Sequence, residues 1–400
     1  MRIHSVDYTE YGGQSYAWTV EELLLIDINL IVGKNATGKS RVLRVINGVA
    51  RLIEGSLTPA TISSGNYRIV LKDDQISKAR QEPRRAPKPD MVYLAEIHES
   101  KVLRESLEVG GVPKLTRGKT GRGKVFFEKN KEDIDVQIPE GQLAATSRRD
   151  LEQHAFFEDL HKWAASVRYY ESARTEANAY SAFQGKVSVE AVHSAPLQSQ
   201  LHLAIKSGQE KFGRDLSSAV ISDMRKVGYE IEAFGLMPAQ GLAFPAALQA
   251  DSGTMQTLYV SESGVAKKLA QNEISDGMLR ALATLIFLHF IRLQRKGGCF
   301  LIDDIGEGLD FDRSTRLIQV VTEHAEKGHI QLVMTTNDRF VMNHVPLDYW
   351  SIIQREKGNV RVFNRRNAAD RFAEFEEFGF NNFDFFAKQF FSTGVETKDK

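Results

Sequence analysis

Eight consecutive residues, Gly33 to Ser40, read GKNATGKS and match the phosphate-binding loop pattern G-x4-G-K-[ST]. In such a loop, backbone N–H groups surround phosphate oxygens, and the N-terminus of the following helix adds positive potential. The pattern places Lys39 at the β- and γ-phosphates and the Ser40 hydroxyl on Mg²⁺. The predicted nucleotide-binding residues are Gly33, Lys34, Asn35, Ala36, Thr37, Gly38, Lys39, Ser40 and Arg41.

A second group of chemically active residues follows an apolar run near the C-terminus. Phe300 to Ile302 precede two carboxylates, Asp303 and Asp304. A strand of this kind delivers Asp303 to the sheet edge beside the phosphate loop, where it can hold Mg²⁺ through water. Asp304 is then placed to orient or deprotonate the attacking water. Two Asp residues at a strand end are by themselves often just a turn, so this prediction depends on the loop upstream.

The elements that must position these residues alternate between strand and helix. The run Leu23–Val32 predicts a buried strand before the loop, and the helical spacing of Lys39–Ile53 predicts a helix after it. The later segments Met278–Leu293, Cys299–Ile302, Asp312–His324 and Ile330–Met334 predict helix, strand, helix and strand. This alternation predicts a parallel sheet with helices on its faces.

The middle of the chain has a different pattern. Short alternating segments from Tyr67 to Ile138 predict antiparallel strands, and Lys78–Lys88 between two of them predicts an exposed loop. Residues Arg148–Tyr170 have apolar positions at helical spacing and predict a helix that packs on a core. A mixed region with no heptad repeat continues to about Lys268.

Two further motifs complete a resemblance to a known family. Residues 274–280 read ISDGMLR, and residues 302–310 read IDDIGEGLD. With the GxNxxGKS loop and the long segment between them, their order is similar to that of ABC-type ATPases of the RecF, SMC and OLD group, over nearly the whole chain. The resemblance implies that Ser275, Asp276 and Gly277 form a signature that contacts the γ-phosphate bound to a second subunit, and that Asp310 lies in a D-loop.

The resemblance also implies the fold and its divisions. The expected fold class is α/β, a P-loop NTPase of the ABC-ATPase head type with a central, mainly parallel sheet, an antiparallel β lobe and a helical insertion. We expect one ATPase domain over 1–400, divided into a first core half (1–60), the β lobe (61–145), a helical and mixed insertion (146–268), a second core half (269–362) and a Phe-rich C-terminal segment with its tail (363–400).

This chain departs from the family pattern at the positions that control hydrolysis. Asp304 stands where relatives usually have Glu, and Glu307 lies close enough in sequence to replace it. Asn337 stands where relatives usually have a His that contacts the γ-phosphate, and an amide cannot carry a charge or relay a proton. Both changes predict slow turnover. The glutamine that reaches Mg²⁺ in relatives is not identified, and Gln137, Gln142 and Gln153 all remain candidates.

Composition excludes several classes of protein. The 52 Lys and Arg residues balance 52 Asp and Glu residues, which argues against a polybasic nucleic-acid coat. The single cysteine, Cys299, excludes an internal disulfide. Residues Met1–Val20 lack the pattern of a signal peptide, and no apolar run reaches the length of a membrane span. We therefore expect a cytoplasmic protein without a membrane partner.

Three weaker features leave alternatives open. A basic run predicts either a solvated hairpin tip or a DNA-backbone contact, through Lys114, Arg117, Lys119, Arg122 and Lys124. Residues Phe363–Phe391 hold ten of the 23 phenylalanines and predict a core-packing segment in preference to a partner-docking surface. His98, His154, His161, His193 and His202 are scattered and show no metal-binding spacing.

These observations lead to three hypotheses of function. In the first, which the family resemblance implies, the chain dimerises around ATP and Mg²⁺, hydrolyses ATP slowly, and regulates a bacterial antiphage defence complex whose separate effector is a protein such as a nuclease. In the second, a RecF-like ATPase clamps DNA during repair or maintenance. In the third, the chain binds ATP without hydrolysis and acts only as a scaffold.

Overall fold

A sheet of 14 strands runs through the computed structural model and positions the phosphate loop near one of its ends. The structure describes residues 1–73, 90–172, 181–182, 192, 197–239, 255–295, 297–328 and 330–393. The predicted loop Lys78–Lys88 and His193 lie outside these residues.

The elements of the described residues are numbered in chain order. The strands are β1 (Arg2–Glu10), β2 (Trp18–Leu24), β3 (Ile28–Val32), β4 (Ser64–Lys72), β5 (Met91–His98), β6 (Lys101–Val109), β7 (Val112–Arg117), β8 (Arg122–Phe127), β9 (Glu132–Gln137), β10 (Val167–Glu171), β11 (Ser181–Ala182), β12 (Ile231–Pro238), β13 (Met255–Glu262), β14 (Leu269–Ala270), β15 (Gly298–Asp303), β16 (Ile330–Thr335), β17 (Trp350–Glu356) and β18 (Asn359–Asn364). The helices are α1 (Lys39–Glu54), α2 (Ala144–Ser147), α3 (Ala155–Ala164), α4 (Leu197–Phe212), α5 (Arg214–Val227), α6 (Asp276–Leu293), α7 (Phe311–Glu326), α8 (Arg339–His344), α9 (Ala369–Glu377), α10 (Asn382–Ala387) and α11 (Phe390–Thr393).

Five parallel strands form the part of the sheet that carries the site, in the order β10-β15-β16-β3-β17. All five residues of β3 are buried. Leu30 belongs to one hydrophobic core and Ile31 to another on the opposite face, as expected for a strand covered on both sides. This arrangement confirms the predicted α/β fold class, and the predicted helices and strands around Lys39, Asp303 and Thr335 are present.

The sheet continues from β17 through β18 and β2 into antiparallel strands, in the order β1-β4-β5-β6-β7-β8-β9. The strands predicted between Tyr67 and Ile138 are therefore hydrogen-bonded to the same sheet as the phosphate-loop strand. A second sheet of four strands is built from β11, β12, β13 and β14.

Two predictions of secondary structure are wrong in part. The run Leu23–Val32 is not one strand, because the Asn29 side chain accepts a hydrogen bond from the Ile26 N–H at 2.8 Å and donates one to the Ile26 carbonyl at 2.7 Å, which closes a turn between β2 and β3. The predicted helix Arg148–Tyr170 is shorter than expected. It covers only α3, and the residues after Ser166 form β10, which pairs in parallel with β15.

The basic run requires a correction at Arg117. Its side chain is fully buried and pairs with the equally buried Glu105 at 3.5 Å, and it also donates to the carbonyls of Gln142 and Pro139. Arg117 therefore cannot contact DNA from the surface of the chain. Lys114 lies 3.4 Å from the centre of the Phe126 ring and close to Glu128. Only Lys119, Arg122 and Lys124 of the five are exposed.

The C-terminal phenylalanines pack largely as predicted. Phe372, Phe375, Phe385, Phe390 and Phe391 belong to the hydrophobic core that also contains α6 and α7. Within the described residues, no helix is both long and apolar enough to cross a bilayer.

Candidate nucleotide site

The loop between β3 and α1 has a backbone that requires glycine at two positions. A Cβ on Gly33 would lie 2.7 Å from the Ile353 carbonyl oxygen, and Gly38 has a φ of 109° at the N-cap of α1. The Thr37 N–H and hydroxyl both donate to the Lys34 carbonyl, at 3.3 and 2.8 Å. These constraints leave the exposed residues Lys34 to Ala36 curled above the start of α1, where N–H groups can receive an anion.

The ammonium group of Lys39 is held at the base of this loop. Its Nζ donates to the Gly33 carbonyl at 2.9 Å and to the Asn337 Oδ1 at 2.7 Å. Burial lowers the pKa of Lys39, whereas the charges of Asp304 and Asp303 oppose that shift. The structure therefore joins the phosphate-loop lysine to the residue that stands in the family's His position.

Asp303 lies at the end of β15 with its carboxylate buried and oriented by two neighbours. Thr335 donates its hydroxyl to Oδ1 at 2.5 Å, and the Tyr169 hydroxyl donates to Oδ2 at 3.2 Å. The Thr335 hydroxyl also accepts the Asp304 N–H at 2.9 Å. One hydroxyl at the end of β16 thus fixes both acidic residues relative to each other.

Asp304 occupies a backbone conformation that is unusual for a residue with a side chain. Its φ is 53°, in the left-handed region, and such strain is concentrated at functional sites. Burial raises the pKa of its carboxyl to about 6, repulsion from Asp303 and Glu307 adds to the shift, and Lys39 opposes it. The Asn337 amide donates to Asp304 at 3.3 Å, so Asn337 bridges Lys39 and the candidate base.

The residues at this edge fit a magnesium ion. Mg²⁺ prefers oxygen ligands and usually keeps several waters beside one or two protein groups. Each Asp303 oxygen accepts one hydrogen bond, which leaves acceptor capacity on both. The residues that would hold the ion are Asp303 and Ser40, which is the second residue of α1 and would contribute its hydroxyl.

Three residues beside Asp303 were not predicted from the sequence. Glu171 ends β10 in register with Asp303, and Tyr169 lies two residues before it. Arg44, on α1, hydrogen-bonds Tyr169, whose hydroxyl oxygen also lies 3.3 Å from the Glu171 carboxylate. The signal that could have found them is the segment VRYYE, a short run rich in β-branched and aromatic residues that ends in a carboxylate, as the Asp303 strand does.

The candidate glutamines lie elsewhere. Gln137 is on β9 and donates to the Thr120 carbonyl at 2.8 Å. Gln142 accepts Arg117 through its main-chain carbonyl, and Gln153 lies in the Asp150 turn before α3. The carboxyl end of β10, next to the Asp303 strand, is occupied by Glu171.

Arg41 has a role in the structure that the loop pattern does not predict. Its guanidinium lies 4.4 Å from the centre of the Trp18 ring and forms an ion pair with Glu10. Trp18 in turn lies against Gly38, where a Cβ would come within 2.9 Å of the ring. Arg41 thus packs on Trp18, the side chain that lies against Gly38 of the phosphate loop.

The predicted signature forms the exposed start of α6. Ser275 is the N-cap, and its hydroxyl accepts the Met278 N–H at 3.2 Å. Ser275 and Asp276 are exposed, whereas Gly277 is buried against the predicted D-loop. A Cβ on Gly277 would lie 2.8 Å from the Gly308 carbonyl oxygen, so this contact requires glycine.

The predicted D-loop is held by bonds of its own. Asp310 caps α7 by accepting the Arg313 N–H at 3.0 Å, and it pairs with the Arg313 side chain at 3.1 Å. Arg280, one turn into α6, donates to the Glu307 carbonyl at 2.9 Å. Glu307 is exposed beside Asp304, and its backbone N–H donates to the Asp304 carbonyl at 3.3 Å.

Comparison with known proteins gives one family and several structures. Residues 28–343 match the family model described as "AAA domain, putative AbiEii toxin, Type IV TA system". An SMC head bound to the C-winged helix domain of ScpA matches with a TM-score of 0.49 and 13% identity, covering 90% of this chain and 97% of that chain. An SMC head with an extended coiled coil, bound to the C-terminal domain of ScpA derived from Pyrococcus furiosus, matches with a TM-score of 0.49 and 12% identity. The match covers 94% of this chain and 100% of that chain.

The SMC head domain from Thermotoga maritima gives a TM-score of 0.44 with 11% identity and covers 91% of this chain and 99% of that chain. No curated protein matches the chain in sequence.

Proposed function

Because the chain belongs to the family of AAA domains described as putative AbiEii toxins of type IV toxin–antitoxin systems, we propose that it binds ATP at the Gly33–Ser40 loop, hydrolyses it slowly and dimerises around it. The observation that carries this proposal is the chain of contacts from Lys39 through Asn337 to Asp304. These contacts support a phosphate-binding role for Lys39 and a base role for Asp304, because one amide lies between the two groups.

In the proposed reaction, a water oxygen attacks the γ-phosphorus and the bond to the β-phosphate oxygen breaks. Asp304 accepts the proton of the water, and ADP and phosphate are the products. Mg²⁺, when bound, neutralises charge that develops on the phosphate oxygens. Lys39 binds the phosphates, and Asn337 keeps it aligned with Asp304. Asparagine cannot carry charge, so this position supports slow turnover.

The exposed signature supports an arrangement in which the second subunit completes the site. Ser275 and Asp276 present the N-terminus of an 18-residue helix to the outside of the subunit. Such a terminus attracts anions, and the γ-phosphate of a nucleotide bound to a second copy supplies one. ATP then holds two subunits together, and hydrolysis releases them.

We further propose that the dimer regulates a separate effector in a bacterial defence complex, for which a nuclease is one candidate. The family description supports a paired system, because a toxin–antitoxin module consists of two components. An exposed surface that forms only in the ATP-bound dimer would then signal the nucleotide state to that effector.

The proposal is tested with the purified wild-type protein. Phosphate release in Mg²⁺ and ATP, together with a shift from monomer to dimer in sedimentation velocity, is the expected result. A chain that binds ATP and dimerises without releasing phosphate under any stimulus would support the scaffold hypothesis. A chain that binds no nucleotide would exclude all three hypotheses.

A second function, a DNA clamp, is favoured by one observation. Lys119, Arg122 and Lys124 are exposed around the turn between β7 and β8. Two such hairpins in a dimer would place six cations on a nucleic-acid backbone. DNA-stimulated hydrolysis that K119A/R122A/K124A abolishes would favour the clamp over the defence role.

A further inference from the structure

Helix α5 lies against the two helices that begin at the signature and the D-loop. It packs on α6, which starts at the signature, and on α7, which starts at the D-loop. The contacts that join these three helices involve two side chains from α5 and the turn that follows it. Neither residue belongs to the Gly33–Ser40 loop, and among the described residues neither side chain is hydrogen-bonded to that loop.

Asp223, in α5, is the inner of these two residues. Its Oδ2 accepts hydrogen bonds from Nε2 of His289 in α6 and from Nε2 of His324 in α7, each at 2.7 Å. Lys226 donates to Oδ1 at 2.7 Å. Burial alone would raise the pKa of the Asp223 carboxyl, but these hydrogen bonds hold it well below its ordinary value.

The same three residues have donor atoms close enough for a metal ion, and one contact decides against that reading. Arg292 donates its Nε–H to Nδ1 of His289 at 3.1 Å. An arginine has no acceptor, so Nδ1 must be unprotonated and the proton of the neutral imidazole lies on Nε2. The atom that a metal would bind already donates to Asp223. The cluster is therefore a set of hydrogen bonds that ties α5 to α6 and α7.

Tyr229 is the outer of the two residues. The chain leaves α5 through Gly228, with a φ of 100°, and the Tyr229 N–H donates back to the Met224 carbonyl at 2.9 Å, which fixes the direction of the tyrosine. The hydroxyl lies 3.2 Å from the position of a Cβ on Gly277. It hydrogen-bonds Ser275 and Arg313. The Arg313 guanidinium also stacks 4.3 Å from the centre of the ring.

We propose that Asp223 and Tyr229 are positioning residues that hold the signature and the D-loop as one rigid surface. Asp223 fixes α6 and α7 in the interior, and Tyr229 fixes their exposed starts through Ser275 and Arg313. The Gly277 and Gly308 backbones lie so close that the Gly277 site has room for no side chain, so even a small shift of one turn against the other would change this contact.

This inference rests on the proposed function in one respect, which is that a second subunit's γ-phosphate meets the surface. A phosphate between two subunits requires donors that are already in place, because any motion of one turn relative to the other costs binding free energy. The two residues would therefore affect assembly and turnover, and leave ATP binding to the isolated phosphate loop unchanged.

The experiment uses hydrogen exchange of the full-length, nucleotide-free protein. Y229F keeps the ring under Arg313 and removes the hydroxyl beside Ser275. D223N keeps the size of the side chain and replaces one acceptor oxygen with an amide that cannot accept from Lys226 or histidine. Each variant should raise exchange at residues 275–280 and 306–312 together, by about 5-fold or more.

The matched control is Y93F, which removes a buried hydroxyl that donates to Glu105 at 3.0 Å in the antiparallel part of the sheet. Y93F should leave exchange at both segments unchanged. If D223N does not fold, Y229F and H324Q carry the same test. Wild-type exchange rates at the two segments in these variants would overturn the inference, as would stoichiometric zinc in the purified protein that H289N removes.

Kinetics then separate this inference from the proposed function. Y229F should lower kcat and weaken ATP-dependent dimerisation while the Kd for ATP at dilute protein stays the same. An equal loss of ATP affinity would overturn the positioning role. A wild-type protein that shows neither hydrolysis nor dimerisation would exclude the proposed function, and the exchange experiment would still decide the rigidity of the surface.

Discussion

The phosphate-loop side and the signature side of this chain satisfy their polar groups in opposite ways. Lys39, Asp303 and Asp304 are partly or fully buried. Lys39 and Asp304 both hydrogen-bond Asn337, and Asp303 accepts a hydrogen bond from Thr335 of the same chain. Ser275, Asp276 and Asp310 are exposed, and their bonds serve mainly to cap helices. The first side is held in place entirely by contacts within one chain. The second presents an exposed helix N-terminus at Ser275.

The difference indicates a division of labour between holding and completing a site. A cation that its own chain holds in place can meet an anion in only one geometry, whereas an exposed helix N-terminus can bind an anion that arrives from outside. Substitutions on the two sides should therefore have different consequences, and the predictions below separate them.

The largest effect is expected at Asp304. D304A should reduce phosphate release by about 10²- to 10⁴-fold, because it removes the candidate base, and it should trap ATP in a stable dimer. Single-turnover phosphate release and sedimentation with ATP measure both effects. E307Q is the matched control on the neighbouring exposed carboxylate. Unchanged hydrolysis in D304A together with a loss in E307Q would move the base role to Glu307.

Lys39 should affect binding before chemistry. K39A removes an ammonium that contacts the Gly33 carbonyl and Asn337, and ATP affinity should fall by about 100-fold, as for the loss of a charge-assisted bond to phosphate. Isothermal titration with ATP is the measurement. K162A, on an exposed lysine of α3 outside the loop, should change affinity by less than about 3-fold. Wild-type affinity in K39A would show that the phosphate-loop assignment is wrong.

Mixing variants from the two sides tests whether they meet between subunits. K39A should be inactive for lack of nucleotide, and S275R should be inactive for lack of a complete signature. A two-fold dimer with one copy of each contains one intact composite site, so an equal mixture should recover about a quarter of the wild-type rate. No recovery on mixing, with both variants folded, would argue that each site is completed within a single chain.

The smallest expected effect is an acid-induced loss of stability on the signature side. Burial lowers the pKa of His202 and His289, so both bind protons less readily in the folded chain than in the unfolded one. Their contribution to stability is complete above about pH 6.5 and is lost as the pH falls below it. His202 bonds Ser181 and Gln271, and His289 bonds Asp223 beside Arg292 and His324.

Urea unfolding at pH 7.5, 6.5 and 5.5 measures this effect. The midpoint should fall with pH in the wild type, and it should fall less in H202Q. An identical pH dependence in H202Q would exclude His202 as a source of the loss.

Much of the fold followed from local patterns. The loop at Gly33–Ser40 and the segments around Asp303 and Thr335 combine a short apolar run with a glycine or a carboxylate, and each occurs as a continuous stretch. A continuous stretch is readable because its residues need no distant partner to fold as they do. Their roles in catalysis stay predictions until the variants are measured.

The incorrect or absent predictions share a cause, which is that the structure at these residues depends on partners far away in sequence. Arg117 is buried because Glu105, on the neighbouring strand, faces it, and a count of charges cannot detect that pairing. Residues Val167–Glu171 continue a helical apolar pattern and become a strand only because β15 offers a parallel partner. Asp223 meets His324 across 101 positions, and no local spacing predicts such a contact.

The unbroken sheet joins the phosphate-loop strand β3 to the basic hairpin between β7 and β8. Nine strand spacings separate β3 from β8, so at about 4.8 Å each the path along the sheet from the phosphate-loop strand to the basic hairpin is roughly 40 Å. Hydrogen-bonded ladders connect every neighbouring pair along that path, and Val125 of β8 shares a hydrophobic core with Ile31 of β3. The antiparallel strands are therefore joined to the phosphate-loop strand twice, through the backbone ladder and through side-chain packing.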